Sequence, residues 1–113
     1  MLGWGARAKG AGVDSRRVDL RELTLATFDP LVGDPFGVEA APGSVEFVLE
    51  SATAAGEWPG GRAPFSLVFL GPDEPLLPQA IYALRHARLG VLEIFLVPIA
   101  RDADGVRYEA VFT

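Results

Sequence analysis

The chain has 113 residues and a net charge of −5, half of its residues are hydrophobic, and it holds one histidine and no cysteine. That length supports one domain with its own core, and that hydrophobic share excludes a wholly disordered chain. The missing cysteines exclude a disulfide framework, a thiolate metal site and a cysteine nucleophile, and the lone His86 leaves little for metal or histidine chemistry.

Charge is unevenly spread. Residues 1–21 hold five basic and two acidic side chains, and the remainder holds five basic and thirteen acidic ones. A basic arm therefore precedes an acidic body. An acidic body does not suit wrapping around nucleic acid, whose binders present basic faces. Nine arginines stand against one lysine, and there is no asparagine. That bias suggests a GC-rich bacterial gene rather than a chemical role. No apolar run reaches the roughly 20 residues that a membrane helix needs. Residues 1–14 lack the apolar stretch of a signal peptide, so a cytoplasmic location is expected.

In chain order, residues 1–18 read as a flexible basic arm, with glycines at 3, 5, 10 and 12 and a lone Trp4. Residues 19–113 read as a single β domain. Asp19 and Glu22 have capping-box spacing and predict a short helix that places Leu20 near Leu23 and ends before Pro30. Phe28 to Phe36 is rich in turn residues, and a strand starts in Phe36–Glu39. Pro42-Gly43 is a turn. Val45, Phe47 and Leu49 alternate with Glu46 and Glu50, a strand with one wet face. Ala52 to Ala63 reads as a loop with Trp58 near its tip. Phe65 to Leu70 is a strand, and Gly71 to Pro78, with three prolines, is a turn region.

Gln79 to Leu89 admits two descriptions. Ala, Leu and Arg favour a helix, with Pro78 before it and Gly90 after it. The alternation of Ile81 and Ala83 with Tyr82, Leu84 and His86 fits a strand. Val91 to Ala100 and Val106 to Phe112 then form a β-hairpin. In the second strand Val106, Tyr108, Ala110 and Phe112 share one face, and Arg107 and Glu109 the other. Asp104-Gly105 suits a two-residue turn with positive φ at both positions. That register opposes Ala103 to Val106, Asp102 to Arg107 and Val97 to Phe112. Pro98 marks an edge or a bulge.

Several stretches carry a resemblance. They are Phe28…Pro30-Leu31…Gly33…Phe36, Pro64-Phe65-Ser66-Leu67-Val68-Phe69-Leu70-Gly71-Pro72, Leu77-Pro78-Gln79…Tyr82…Leu84…His86…Leu89-Gly90, Phe95-Leu96-Val97-Pro98 and Gly105…Tyr108-Glu109-Ala110-Val111-Phe112. With them, about three quarters of the chain resembles a family of small bacterial all-β domains that carries a domain-of-unknown-function label. The resemblance implies an all-β fold. Relatives often have proline just after the His86 position, which favours a strand ending in a turn over a helix; this chain departs from them with Ala87. It also associates the domain with proteins resembling phage-tail collars or fibres. The expected architecture is a small antiparallel β-barrel or sandwich of six to seven strands with one short N-terminal helix.

Catalytic and cofactor signatures are absent from the sequence. His86 with Tyr82 and Glu93 is a candidate acid–base cluster, but a single strand histidine is more often structural. Asp102 and Asp104 resemble paired carboxylates or the start of a calcium loop, yet the turn already accounts for both, and no metal site is expected. Gly60-Gly61 lacks the Lys-Ser/Thr of a phosphate loop. Trp58, Gln79 and Tyr82 are the candidate partner-binding residues, Trp58 as a loop aromatic of the kind that anchors interfaces. The chain thus reads first as a non-enzymatic structural or protein-interaction module, an accessory of a phage-tail-like or fibre assembly. The alternative is a small apolar-ligand-binding barrel, and the third reading is a cofactor-free enzyme using His86.

Overall fold

The computed structural model describes residues 17–56, 60 and 62–113. Six antiparallel strands close into a barrel: β1 (Pro35–Ala40), β2 (Gly43–Ala54), β3 (Phe65–Gly71), β4 (Ala80–His86), β5 (Gly90–Asp102) and β6 (Gly105–Phe112). Around the barrel they run β1-β2-β3-β6-β5-β4, and β4 returns to β1 through Gly37↔Arg85 and Val38↔Leu84. The chain is therefore the all-β barrel with a short N-terminal helix that the sequence predicts.

The helical segment is shorter than its spacing suggests. Leu20–Glu22 forms one 3-10 turn, with the Asp19 side chain accepting the Arg21 N–H. Thr24 and Thr27 then cap a separate four-residue helix, α1 (Leu25–Phe28), and a further 3-10 turn covers Asp29–Leu31. Pro30 is accommodated in that turn, whose first N–H groups need no intrahelical partner. The purpose of this irregular run is to carry Phe28 and Leu31 into the core, where both are buried.

Strand alternation builds that core. Phe65, Leu67 and Phe69 of β3 point inward, as do Phe47 and Leu49 of β2 and the Val106, Tyr108, Ala110 and Phe112 set of β6. Phe28 closes one end of the barrel over Phe65 and Phe112, at ring distances of 5.8 and 5.7 Å, and those two rings stack at 4.6 Å. Further along, Phe47 stacks on Tyr108 at 4.7 Å, and Phe36 meets Phe69 edge-on at 5.2 Å. Six strands leave an interior that these side chains fill.

Within residues 79–89, Ala80–His86 is strand and residues 87–89 are a turn. β4 pairs with β5 from Ala80↔Leu96 to His86↔Gly90. Cross-strand pairing on one side and closure against β1 on the other override helix propensity.

The C-terminal hairpin differs from its predicted register. Asp102 pairs with Gly105 and Arg101 with Val106, so Ala103-Asp104 forms the turn. The Asp102 side chain accepts the Asp104 N–H at 2.8 Å and fixes that turn. Gly105 starts β6 with φ of 135°. A Cβ there would lie 2.1 Å from the Gly71 carbonyl oxygen, so the glycine serves a close approach of β3. A bulge between Pro98 and Ala100 shifts the ladder by one, to Pro98↔Tyr108 and Val97↔Glu109. Val97 and Ile99 consequently leave the core face, and Leu92, Ile94 and Leu96 occupy it. Pro98 at this bulge matches its expected role. The predicted pairing of Asp102 with Arg107 survives as an ion pair, to which Glu50 adds two further contacts at 2.7 and 3.0 Å.

Candidate interaction surface

The β5–β6 ladder ends at Val97↔Glu109, although β5 begins at Gly90 and β6 runs on to Phe112. The two strands diverge there and leave a seam in the barrel wall. Residues 17–23 lie along it. Arg17 forms a parallel bridge with Val91, and the Val18 N–H donates to the Val91 carbonyl at 2.9 Å. Residues 17 and 18, at the end of the expected arm, thus touch β5. Arg62 clasps the seam from the β2–β3 loop. Its guanidinium donates to the Leu20 and Leu23 carbonyls at 2.5 and 2.9 Å and to a main-chain oxygen of Thr113 at 2.8 Å. The same group lies 5.7 Å from the ring centres of Phe65 and Phe112.

A cleft of about 330 Å³ remains, lined chiefly by Ile81, Ile94, Phe95, Val111, Leu20 and Arg62. Its rim is apolar because of strand parity. Ile81 opposes Phe95 on the outer face of β4–β5, and continuing the β5–β6 register across the seam would oppose Phe95 to Val111. These three side chains are 68%, 51% and 59% exposed. Isolated exposed apolar residues are ordinary, but three large ones lining one cleft form a candidate contact surface.

The predicted partner residues lie close by in part. Gln79 is exposed two residues before Ile81. Tyr82 follows Ile81, half-buried against the core, and its hydroxyl donates to the Pro78 carbonyl. Burial pushes that hydroxyl up from its ordinary pKa, which keeps it a donor. Trp58 lies outside the described residues. Arg62 and Phe95 carried no sequence signal of a contact role. Phe95 sits in the stretch Ile94 to Ile99, apolar on both faces, and Arg62 follows a Gly-rich loop without periodicity.

His86 is not part of the cluster predicted for it. Glu93 faces outward and pairs with Arg17. The His86 ring, 3% exposed, packs 4.7 Å from Phe36 and contacts the Asp34 carboxylate through Nε2 at 2.9 Å. Nδ1 accepts the backbone N–H groups of Arg88 at 3.1 Å and Leu89 at 3.2 Å. Those two donors require a bare Nδ1, so the proton sits on Nε2 and is donated to Asp34. Both nitrogens are occupied and neither is left as a base for a substrate. The ring holds the β4–β5 turn. The His86 hydrogen bond, helped by Arg88, holds the Asp34 carboxyl below the usual carboxylate range. Asp102 is lowered chiefly by the Asp104 N–H, as its turn role requires. Among the described residues no group of three His, Asp or Glu side chains could hold a metal ion, and no helix is long and apolar enough to cross a membrane.

The family described as Domain of unknown function (DUF6916) matches residues 23–112. The chain belongs to the DUF6916 family. No curated protein and no solved structure matches it. The matched span of this DUF6916 domain contains the barrel strands, the His86–Asp34 pair and the cleft residues Arg62, Ile81, Phe95 and Val111. It begins at Leu23, after the Arg17–Val91 bridge.

Proposed function

We propose that this DUF6916 domain is a non-enzymatic protein-interaction module that contacts its partner through the Ile81–Phe95–Val111 face. The observation that carries this is the exposure of those three large apolar side chains around one cleft. The interior is filled by aromatic rings, which directs binding to the outside of the barrel. The occupied nitrogens of His86 argue against the enzyme reading. We place the module as an accessory of a phage-tail-like or fibre assembly, on the resemblance of its segments to domains found beside such proteins.

The test is co-expression with the products of adjacent genes, followed by capture on the tagged domain and light scattering of the isolated protein. The combined variant Ile81→Ser, Phe95→Ser, Val111→Ser removes only outward-facing side chains, so its melting temperature stays near wild type. A protein captured by the wild type and lost with this variant supports the proposal. Equal capture by both, or a lone monomer that captures nothing, overturns it.

A further inference from the structure

We propose that His86 is a proton-operated latch: uptake of a second proton at its Nδ1 releases the β4–β5 turn, while the ring keeps its hold on Asp34. The two ring nitrogens serve different parts of the fold. Nε2 meets the Asp34 carboxylate at 2.9 Å. Asp34 stands immediately before β1, its main chain fixed by bonds to Leu31 and Leu49. The contact thus adds a side-chain tie beside Gly37↔Arg85 and Val38↔Leu84, the two pairs that close the barrel. Nδ1 serves the turn, accepting the N–H groups of Arg88 and Leu89 at 3.1 and 3.2 Å.

A neutral imidazole meets both demands, because it donates from one nitrogen and accepts at the other. An imidazolium donates from both. A proton arriving from solvent on the Nδ1 lone pair removes the acceptor of both turn amides and aims an N–H at two others. The bond from Nε2 to Asp34 becomes charge-assisted and tightens. The charges that face the ring fit this exchange. The segment before β1 presents Asp34, and the turn presents Arg88, which reaches Asp34 at 3.4 Å. β1 presents Phe36 and β5 presents Gly90, neither of them charged. Arg85, next along β4, lies on the opposite face and meets Glu39. The His86 hydrogen bond, with help from Arg88, holds the Asp34 carboxyl below the usual carboxylate range, so Asp34 stays ionised while the ring takes up its proton. Ala87 and Arg88 are exposed, so the turn can move outward without opening the core. Acid therefore loosens the turn and spares the closing ladder.

The experiment is a nuclear magnetic resonance titration of the wild-type domain from about pH 8 to about pH 5, the range in which histidine ordinarily changes charge. It follows the His86 ring nitrogens together with amide exchange, corrected for the intrinsic effect of pH. The chain holds one histidine, so the ring signal has a single source. Protection at Arg88 and Leu89 should fall about ten-fold or more, with the midpoint of the ring titration. Protection at Gly37, Val38, Leu84 and Arg85 should stay level. His86→Asn keeps an acceptor near the Nδ1 position that takes up no proton, so its Arg88 and Leu89 amides should stay level too. The wild-type titration decides the matter even where that variant does not fold. Turn amides that stay protected while the ring titrates would overturn the latch. So would a ring that takes up no proton before the whole domain unfolds, or protection lost equally across the β1–β4 ladder.

Discussion

Gly105→Ala should be among the most damaging single-methyl changes available to this barrel. Gly105 has φ of 135°, and a Cβ built on it lies 2.1 Å from the Gly71 carbonyl oxygen and 3.3 Å from its carbon. The methyl group cannot escape by rotating a side chain, because what it meets is the backbone of β3. Two costs combine. The left-handed backbone costs a non-glycine residue about 1–2 kcal/mol, and forcing β3 and β6 apart adds about 1–3 kcal/mol by analogy with overpacked cores. A total of about 2–5 kcal/mol is large against the roughly 5–15 kcal/mol that holds a domain of this size. Urea denaturation followed by tryptophan fluorescence and circular dichroism measures it. Gly43→Ala is the control, since that position has open space within 4 Å and no positive φ, and it should change stability by less than about 1 kcal/mol. A Gly105→Ala protein within about 1 kcal/mol of wild type would refute the close-approach argument.

Two further outcomes can be measured with the same protein. His86→Ala removes a buried ring and strips the Arg88 and Leu89 N–H groups of their acceptor, for an expected loss of about 2–4 kcal/mol; hydrogen exchange should accelerate first at those two amides, and unchanged protection there would contradict a structural role for the ring. Acid should destabilise the fold with a definite sign. Asp34, Asp73 and Asp102 all titrate below the ordinary value in the folded chain, held by His86, by Arg101 and by the Asp104 N–H respectively. The unfolded chain therefore takes up protons first as pH falls, and the stability these groups supply is full above about pH 4–5 and lost below it. The groups are solvent-screened, so salt should blunt the effect. A urea midpoint that stays flat or rises between about pH 5 and about pH 3 would contradict it.

The legible parts of this sequence were those with chemically different faces. β6 displays its inward set because Arg107 and Glu109 mark the other side. β5 is apolar on both faces from Ile94 to Ile99, so the shift of parity at the bulge that Pro98 marks cannot be read from composition. The turn register was hidden for a different reason. Asp104-Gly105 satisfies the local rules for a positive-φ turn, but Gly105 is placed by the carbonyl of Gly71, a contact made only when β3 and β6 are assembled. The His86 partner was equally non-local, since Asp34 lies 52 residues away. The same holds for Arg62, whose three acceptors come from the helical segment and the end of β6.

The strand order carries a consequence for how the molecule comes apart. β1-β2-β3 and β4-β5-β6 are two meanders of consecutive hairpins. They are stitched by seven residue pairs between β3 and β6 but by only two between β1 and β4. The weaker stitch should open before the stronger one. Opening it turns the barrel into a continuous six-stranded curved sheet without breaking a hairpin, and frees the edges of β1 and β4 together. Amides at Gly37, Val38, Leu84 and Arg85 therefore belong to the least cooperative ladder of the fold, and the β3–β6 ladder acts as its spine.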